Sequence, residues 1–161
     1  MRKRVPGIAV LIVCLCALSL TLAQDKDTSR LNSEKATRIA TNLERTIRSK
    51  EPKWRLKNSS SDTAVAWQLW RSGGRELDLR VYVYDAPEEA SKMLHRHGGF
   101  SVAASQQLEH FGEEARFISH RYYTWVGVRR GRLLATAHGP GRELTLTRRF
   151  AEHALEQIQD Q

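Results

Sequence analysis

Gly112-Glu-Glu-Ala-Arg-Phe-Ile-Ser-His-Arg-Tyr-Tyr-Thr-Trp-Val-Gly-Val-Arg-Arg-Gly-Arg-Leu-Leu-Ala-Thr-Ala-His138 is the stretch on which the fold turns. Aromatic and β-branched residues crowd Arg116–Val128, as in a strand covered on both faces. Tyr123 and Trp125 fall on one side of the pleat, and Tyr122, Val126 and Val128 on the other. A turn at Arg129-Arg130-Gly131 then sends Arg132–His138 back as a second strand. Gly131 suits the positive φ that a type I turn with a bulge requires. A central hairpin in a sheet is therefore expected.

Working outward, Leu77, Leu79, Val81 and Val83 alternate with Glu76, Asp78, Arg80 and Tyr82, the pattern of a strand with one buried face. Thr63–Trp70 precedes it across a Ser72-Gly73-Gly74 turn, with Val65, Trp67 and Leu69 expected to face inward. Lys53-Trp-Arg-Leu-Lys57 alternates basic with apolar and is expected to be a short, half-exposed first strand. Asn58–Asp62 is expected to be a polar loop, and it carries an Asn-Ser-Ser glycosylation sequon relevant only to a eukaryotic secretory pathway.

Helical spacing appears three times. Leu31, Ala36, Ile39, Ala40, Leu43 and Ile47 define one face over 30–49, ended by Glu51-Pro52. That face lacks the Trp or Phe of membrane-surface helices, so it is expected to pack on the sheet. Asp85-Ala-Pro-Glu opens a helix over 86–97, with Asp85 as cap, a stripe of Ala90, Met93 and Leu94, and Gly98-Gly99 as terminator. Leu146, Phe150, Ala154, Leu155 and Ile158 give a closing helix over 145–159, capped by Thr145 or Thr147. Phe100–Phe111 is expected to be a loop with one helical turn near Gln106–Glu109. The fold class is thus α+β: a twisted, mostly antiparallel sheet of five to seven strands covered by three helices. Trp67, Leu77, Leu79, Val81, Val83, Phe150 and Leu155 are expected in the core.

Residues 1–23 are expected to be a cleaved signal peptide, the alternative being an uncleaved anchor, with Arg2, Lys3 and Arg4 followed by an apolar run and a Thr21-Leu-Ala23 cleavage site. Residues 24–161 are then one domain, exported to the periplasm or secreted, with no membrane span after cleavage. Cys14 and Cys16 leave with the leader, so the mature chain has no cysteine, which suits a bacterial envelope protein. Three basic residues leave as well, lowering the net charge by three from +8. A basic exported domain meets anionic lipid, anionic wall polymer or acidic protein, while export puts nucleic acid out of reach.

Few residues carry chemistry. His95 and His97 would serve a metal from a strand, but at i and i+2 on a helix they diverge by about 200°. A third ligand would come from His110, His120 or His138. Glu113 and Glu114 are neighbours, poor geometry for paired catalytic carboxylates, and are expected as solvated acids near Arg116. No nucleophile elbow, His-Glu-x-x-His, P-loop or dinucleotide fingerprint appears, so neither catalysis nor a cofactor is expected. The competing reading is a small envelope enzyme, a metal-dependent hydrolase using His95 and His97. Arginines are the better candidates. Arg129, Arg130 and Arg132 at the hairpin tip, with Arg148 and Arg149 at the start of the closing helix, are expected to form an anion-binding patch.

The Gly-Glu-Glu-Ala lead into an aromatic strand, the Val-x-Val-Arg-Arg-Gly-x-Leu-Leu-Ala hairpin and the Asp-Ala-Pro-Glu-Glu-Ala helix start resemble exported bacterial domains of unknown function. Several of these share the α/β sandwich of the photosystem II extrinsic protein PsbP. The resemblance covers Val65–Ile158 and implies a fold and a non-enzymatic accessory role. The helix at 30–49 is not part of that pattern.

Overall fold

A computed structural model describes residues 30–97 and 105–159. The leader at 1–23, the Gly98-Gly99 terminator and Phe100 lie outside the described residues. Helix α1 (30–50) is followed by strands β1 (Arg55–Asp62), β2 (Val65–Ser72) and β3 (Arg75–Val83), helix α2 (Pro87–His97), strands β4 (Gln106–Gln107), β5 (Glu114–Ser119), β6 (Tyr123–Arg130) and β7 (Leu133–Pro140), and helix α3 (Leu144–Gln159). The strands form one sheet in the order β1-β2-β3-β7-β6-β5-β4, antiparallel at every pairing. The β6–β7 hairpin contributes the middle strand, as expected of the aromatic stretch.

One sheet face is roofed by α1 and α3. Ala36, Ile39, Leu43 and Ile47 of α1 and Leu146, Phe150 and Ala154 of α3 share a core with Trp70, Leu77, Leu79, Val81, Val126 and Val128. Side chains of this size stabilise by about 1.5–3 kcal/mol each when fully buried. Ala135, Ala137 and Gly139 keep β7 low beneath α3. A Cβ on Gly139 would stand 2.1 Å from Thr147 Oγ1. Among the described residues the other face carries α2, over β5, β6 and β7, on a small core of Leu94, Ile118, Trp125 and Leu134. No helix of the described residues packs on this second face at β1 and β2.

Several expectations are corrected. Trp67 is not core: it is half-buried on the second face, its Nε1 donating to Asp78 Oδ2 at 2.8 Å. Val65 and Leu69 share that face, while Ala66, Gln68 and Trp70 point into the main core. The reason is turn length. Gly73 and Gly74, with φ of 54° and 79°, make a two-residue turn, pairing Ser72 with Arg75 and hence Trp70 with Leu77. A turn of three residues would have reversed the face of β2. Gln68 becomes tolerable inside because its amide donates to Ala40 O at 2.8 Å and accepts from Trp70 Nε1 at 3.1 Å.

The first strand is longer and later than expected, running through Asn58–Asp62, because antiparallel pairing with β2 satisfies its backbone although its side chains stay in water. A register shift at Leu56/Asn58 bulges it. Arg116–Val128 is not one strand. The chain turns at His120–Tyr122, where His120 N donates to Tyr123 O at 2.8 Å, so Tyr122 is exposed. The next turn is Gly131-Arg132, a glycine in first position, with Arg130 opposite Leu133. Gln106–Gln107 is an edge strand rather than a helical turn. Leu31 is 63% exposed, and Asn32 takes the inward position, donating to Asp85 Oδ1 at 2.7 Å. Asp85 therefore ties α2 to α1, and Ala86 O receives the first helical bonds, with Pro87 in the first turn. In α3 the capping carbonyl belongs to Glu143, and Thr147 bonds it with both N and Oγ1, at 3.0 and 2.9 Å.

Candidate anion-binding cleft and a buried polar network

Lys35 and Arg38 lie three apart on α1 and so share a helix face. Arg132 reaches them from the β6–β7 turn, its backbone held where Tyr84 N donates to Arg132 O at 2.9 Å. The three cations line an open cleft of about 630 Å³ with Leu31 and Glu34. Glu34 is engaged by Arg30, Nε to Oε1 at 3.0 Å. Among the described residues no acid pairs with Lys35, Arg38 or Arg132. Burial, then the charges of Arg132 and Arg38, hold the Lys35 ammonium below its ordinary pKa. Among the described residues the arrangement is a cluster of three cations whose one lining acid, Glu34, is paired with Arg30.

A second open cleft, of about 580 Å³, lies where α3 begins, lined by Lys53, Arg75, Arg142 and Arg149 as well as Glu51 and Glu143. Two of its four cations, Arg149 and Arg75, are paired with its two acids. Arg149 Nε meets Glu51 Oε1 at 2.5 Å, and Arg75 Nη1 meets Glu143 Oε2 at 3.1 Å while its guanidinium stacks on Trp54. Glu51 also faces His153 at 3.3 Å.

The expected single arginine patch is therefore not formed. Roughly 24 Å of α1 separates Lys35, beside Arg132, from Glu51, beside Arg149, at about 1.5 Å per residue. Arg148 lies over the Phe111 ring and pairs with Glu152. Arg129 is also withdrawn. Gly112, at φ 68°, bends the chain before β5 so that both Glu113 and Glu114 face this guanidinium. Arg129 Nη1 meets Glu113 Oε2 at 2.8 Å and Nε meets Glu114 Oε2 at 3.3 Å, with the Arg129 side chain 16% exposed. The two acids are thus partners of Arg129: Glu113 stays solvated as expected, with its side chain 49% exposed, while Glu114 is drawn in to 25%. Arg130 is half-buried at the end of β6. Of the five arginines, only Arg132 faces an unneutralised cleft.

Glu114 is the hub of a network that joins α2 to β5 and β6. Ser91 Oγ donates to Glu114 Oε2 at 2.9 Å, and His95 Nε2 meets Glu114 Oε1 at 2.6 Å. Arg116 Nη1 donates to His95 Nδ1 at 3.0 Å and Arg116 Nε to Ser105 Oγ at 2.8 Å. Burial opposes the charge on Glu114, but hydrogen bonds from Ser91 and Arg129, with His95, outweigh it and hold the carboxyl below its ordinary pKa. Serine and histidine both bond the carboxylate and not each other, so no nucleophile is activated. Both His95 nitrogens are engaged, and the His97 side chain lies outside the described residues. Among the described residues no group of three or more His, Cys, Asp and Glu is arranged to hold a metal. No helix of the described residues is long and apolar enough to cross a membrane.

Set against known proteins, the chain matches no family model and no curated protein.

Proposed function

We propose that this is an exported, non-catalytic binding domain whose Lys35–Arg38–Arg132 cleft holds the phosphate of an anionic lipid headgroup. The observation that carries the proposal is the convergence of three cations from α1 and the β6–β7 turn without a neutralising acid. Such a cluster raises the local potential, and an arriving dianion relieves the repulsion that depresses Lys35. Leu31, exposed at the rim, offers apolar contact to the acyl region beside the headgroup. Six residues, 24–29, lie between the leader and the described part of α1 and can span at most about 20 Å, so a leader kept as an anchor would hold the cleft near the bilayer surface. The resemblance to PsbP-like domains points likewise to an accessory role.

Co-sedimentation with anionic and with neutral vesicles tests the proposal. Binding is expected to anionic vesicles alone and to fade as salt shortens the Debye length from about 10 Å at 0.1 M to about 3 Å at 1 M. Lys35→Glu with Arg132→Glu should abolish it without lowering the melting temperature, because the change relieves like-charge repulsion. Equal binding to both vesicle types, binding to neither, or full binding by the charge-reversed protein would overturn the assignment.

A further inference from the structure

The half of the second sheet face that no helix of the described residues covers ends at Trp125. There Arg80 and Tyr82 of β3, Thr136 and His138 of β7 and the Trp125 indole line a small, partly open cavity of about 170 Å³. Trp125 is only 2% exposed, and its indole Nε1 is buried without a hydrogen-bond partner. That is the exception among its neighbours: Trp67 Nε1 has Asp78 and Trp70 Nε1 has Gln68. An indole N–H is a donor and nothing else, and a buried polar group without a partner marks a site that calls for an explanation. The ring is also held in place. A Cβ on Gly127 would lie 2.5 Å from Trp125 Cη2, so the indole lies flat over the one residue of β6 that leaves it room.

We infer that this cavity is a binding site for a single-ring compound bearing a carbonyl oxygen, a carboxylate or a carboxamide, which accepts from Trp125 Nε1. Size sets the first limit: a cavity of about 150 Å³ admits benzene, and this one is slightly larger. The walls set the second. Tyr82, Trp125 and His138 present rings, the last edge-on to the indole with centroids 6.5 Å apart, and flat surfaces of this kind favour a flat ligand. The polar groups set the third. Arg80 gives Nε and Nη2 to Asp78, at 2.8 and 3.0 Å, and a guanidinium has five N–H groups. Thr136 adds a hydroxyl. The indole N–H can only donate, so the ligand must supply an acceptor oxygen. Because Asp78 offsets the charge of Arg80, recognition rests on the oxygen more than on a net charge. The site is independent of the basic cleft at α1.

The four tryptophans give four indole N–H signals in a ¹H–¹⁵N spectrum of the full chain. Trp125→Phe assigns that of Trp125, and an NOE from the Gly127 amide assigns it should that variant fail to fold. Benzoate, benzamide and toluene are the probes. The Trp125 signal should move downfield saturably with benzoate, with benzamide or with both, while the buried Trp70 signal stays fixed. Whichever probe works identifies the source of the oxygen. Thr136→Val should weaken the titration several-fold. No saturable movement with either carbonyl compound, or an equal movement with toluene, would overturn the site.

Discussion

The two faces of the sheet are built on different principles. The first is roofed by α1 and α3 over a continuous apolar core that admits Gln68 only with both ends of its amide satisfied. The second has one helix, four buried apolar residues, a carboxylate-centred network and an indole N–H without a partner. Cohesion belongs to the first face and polar chemistry to the second. This division leaves the second face free to vary without dismantling the domain, since its loosest parts hold the least of the folding energy.

Truncation should separate the faces most sharply. Phe150→Ala is expected to cost about 4 kcal/mol and Leu94→Ala about 2.5 kcal/mol, both read from denaturant midpoints. Equal losses would show that the small core under α2 is as deeply cooperative as the large one. A finer comparison uses the two glycines under the helices. Gly139→Ala pushes against Thr147 of α3, and Gly127→Ala against Trp125 and Leu94 of α2, each for about 2 kcal/mol. Thr147→Ala should restore most of the loss from Gly139→Ala in a double-mutant cycle. An additive cycle would mean that α3 shifts as a body instead of meeting one side chain.

The smallest effect is the most diagnostic of the second face. Glu114→Gln is expected to cost about 1.5 kcal/mol near neutral pH, because it weakens charge-assisted bonds to Arg129 and His95. The folded pKa of Glu114 lies below its unfolded value, so its contribution is complete above the unfolded pKa and is lost as pH falls through the folded one. The wild type should therefore lose stability more steeply than Glu114→Gln at pH values below the ordinary carboxylate range. Parallel acid profiles would remove Glu114 from its place at the hub.

Much of this architecture was legible in the residues. The strict alternation of Leu77–Val83 showed its buried face, while the glycine turns and the helical spacing elsewhere showed an antiparallel sheet and three helices. The face of β2 was not legible, because Val65, Trp67 and Leu69 are the more apolar set, yet Ala66, Gln68 and Trp70 take the core. Only the length of the Gly73-Gly74 turn decides between the two sets. Nothing in the local sequence marks Gln68 as a core residue, because its acceptor, Ala40 O, comes from a helix 28 positions earlier. The basic cleft failed for a similar reason: an arginine-rich turn and helix start suggested one patch. Local sequence could not show that Arg132 would meet Lys35 and Arg38 while Glu113 and Glu114 took Arg129. His95 was singled out by its chemistry, but its partners Glu114 and Arg116 join it only when α2 lies across β5 and β6.

The outermost strand, β1, has a consequence for how the protein behaves in a crowd. Its last six residues, Lys57-Asn-Ser-Ser-Ser-Asp62, are all exposed, and the bulge at Leu56/Asn58 breaks the ladder that a second chain would have to continue. At the opposite margin β4 offers two residues. Both margins are thus poor templates for strand addition, one through hydration and irregularity, the other through brevity. At high concentration, copies of this domain should repel sheet-to-sheet growth into fibres, and contacts between copies would have to form through faces.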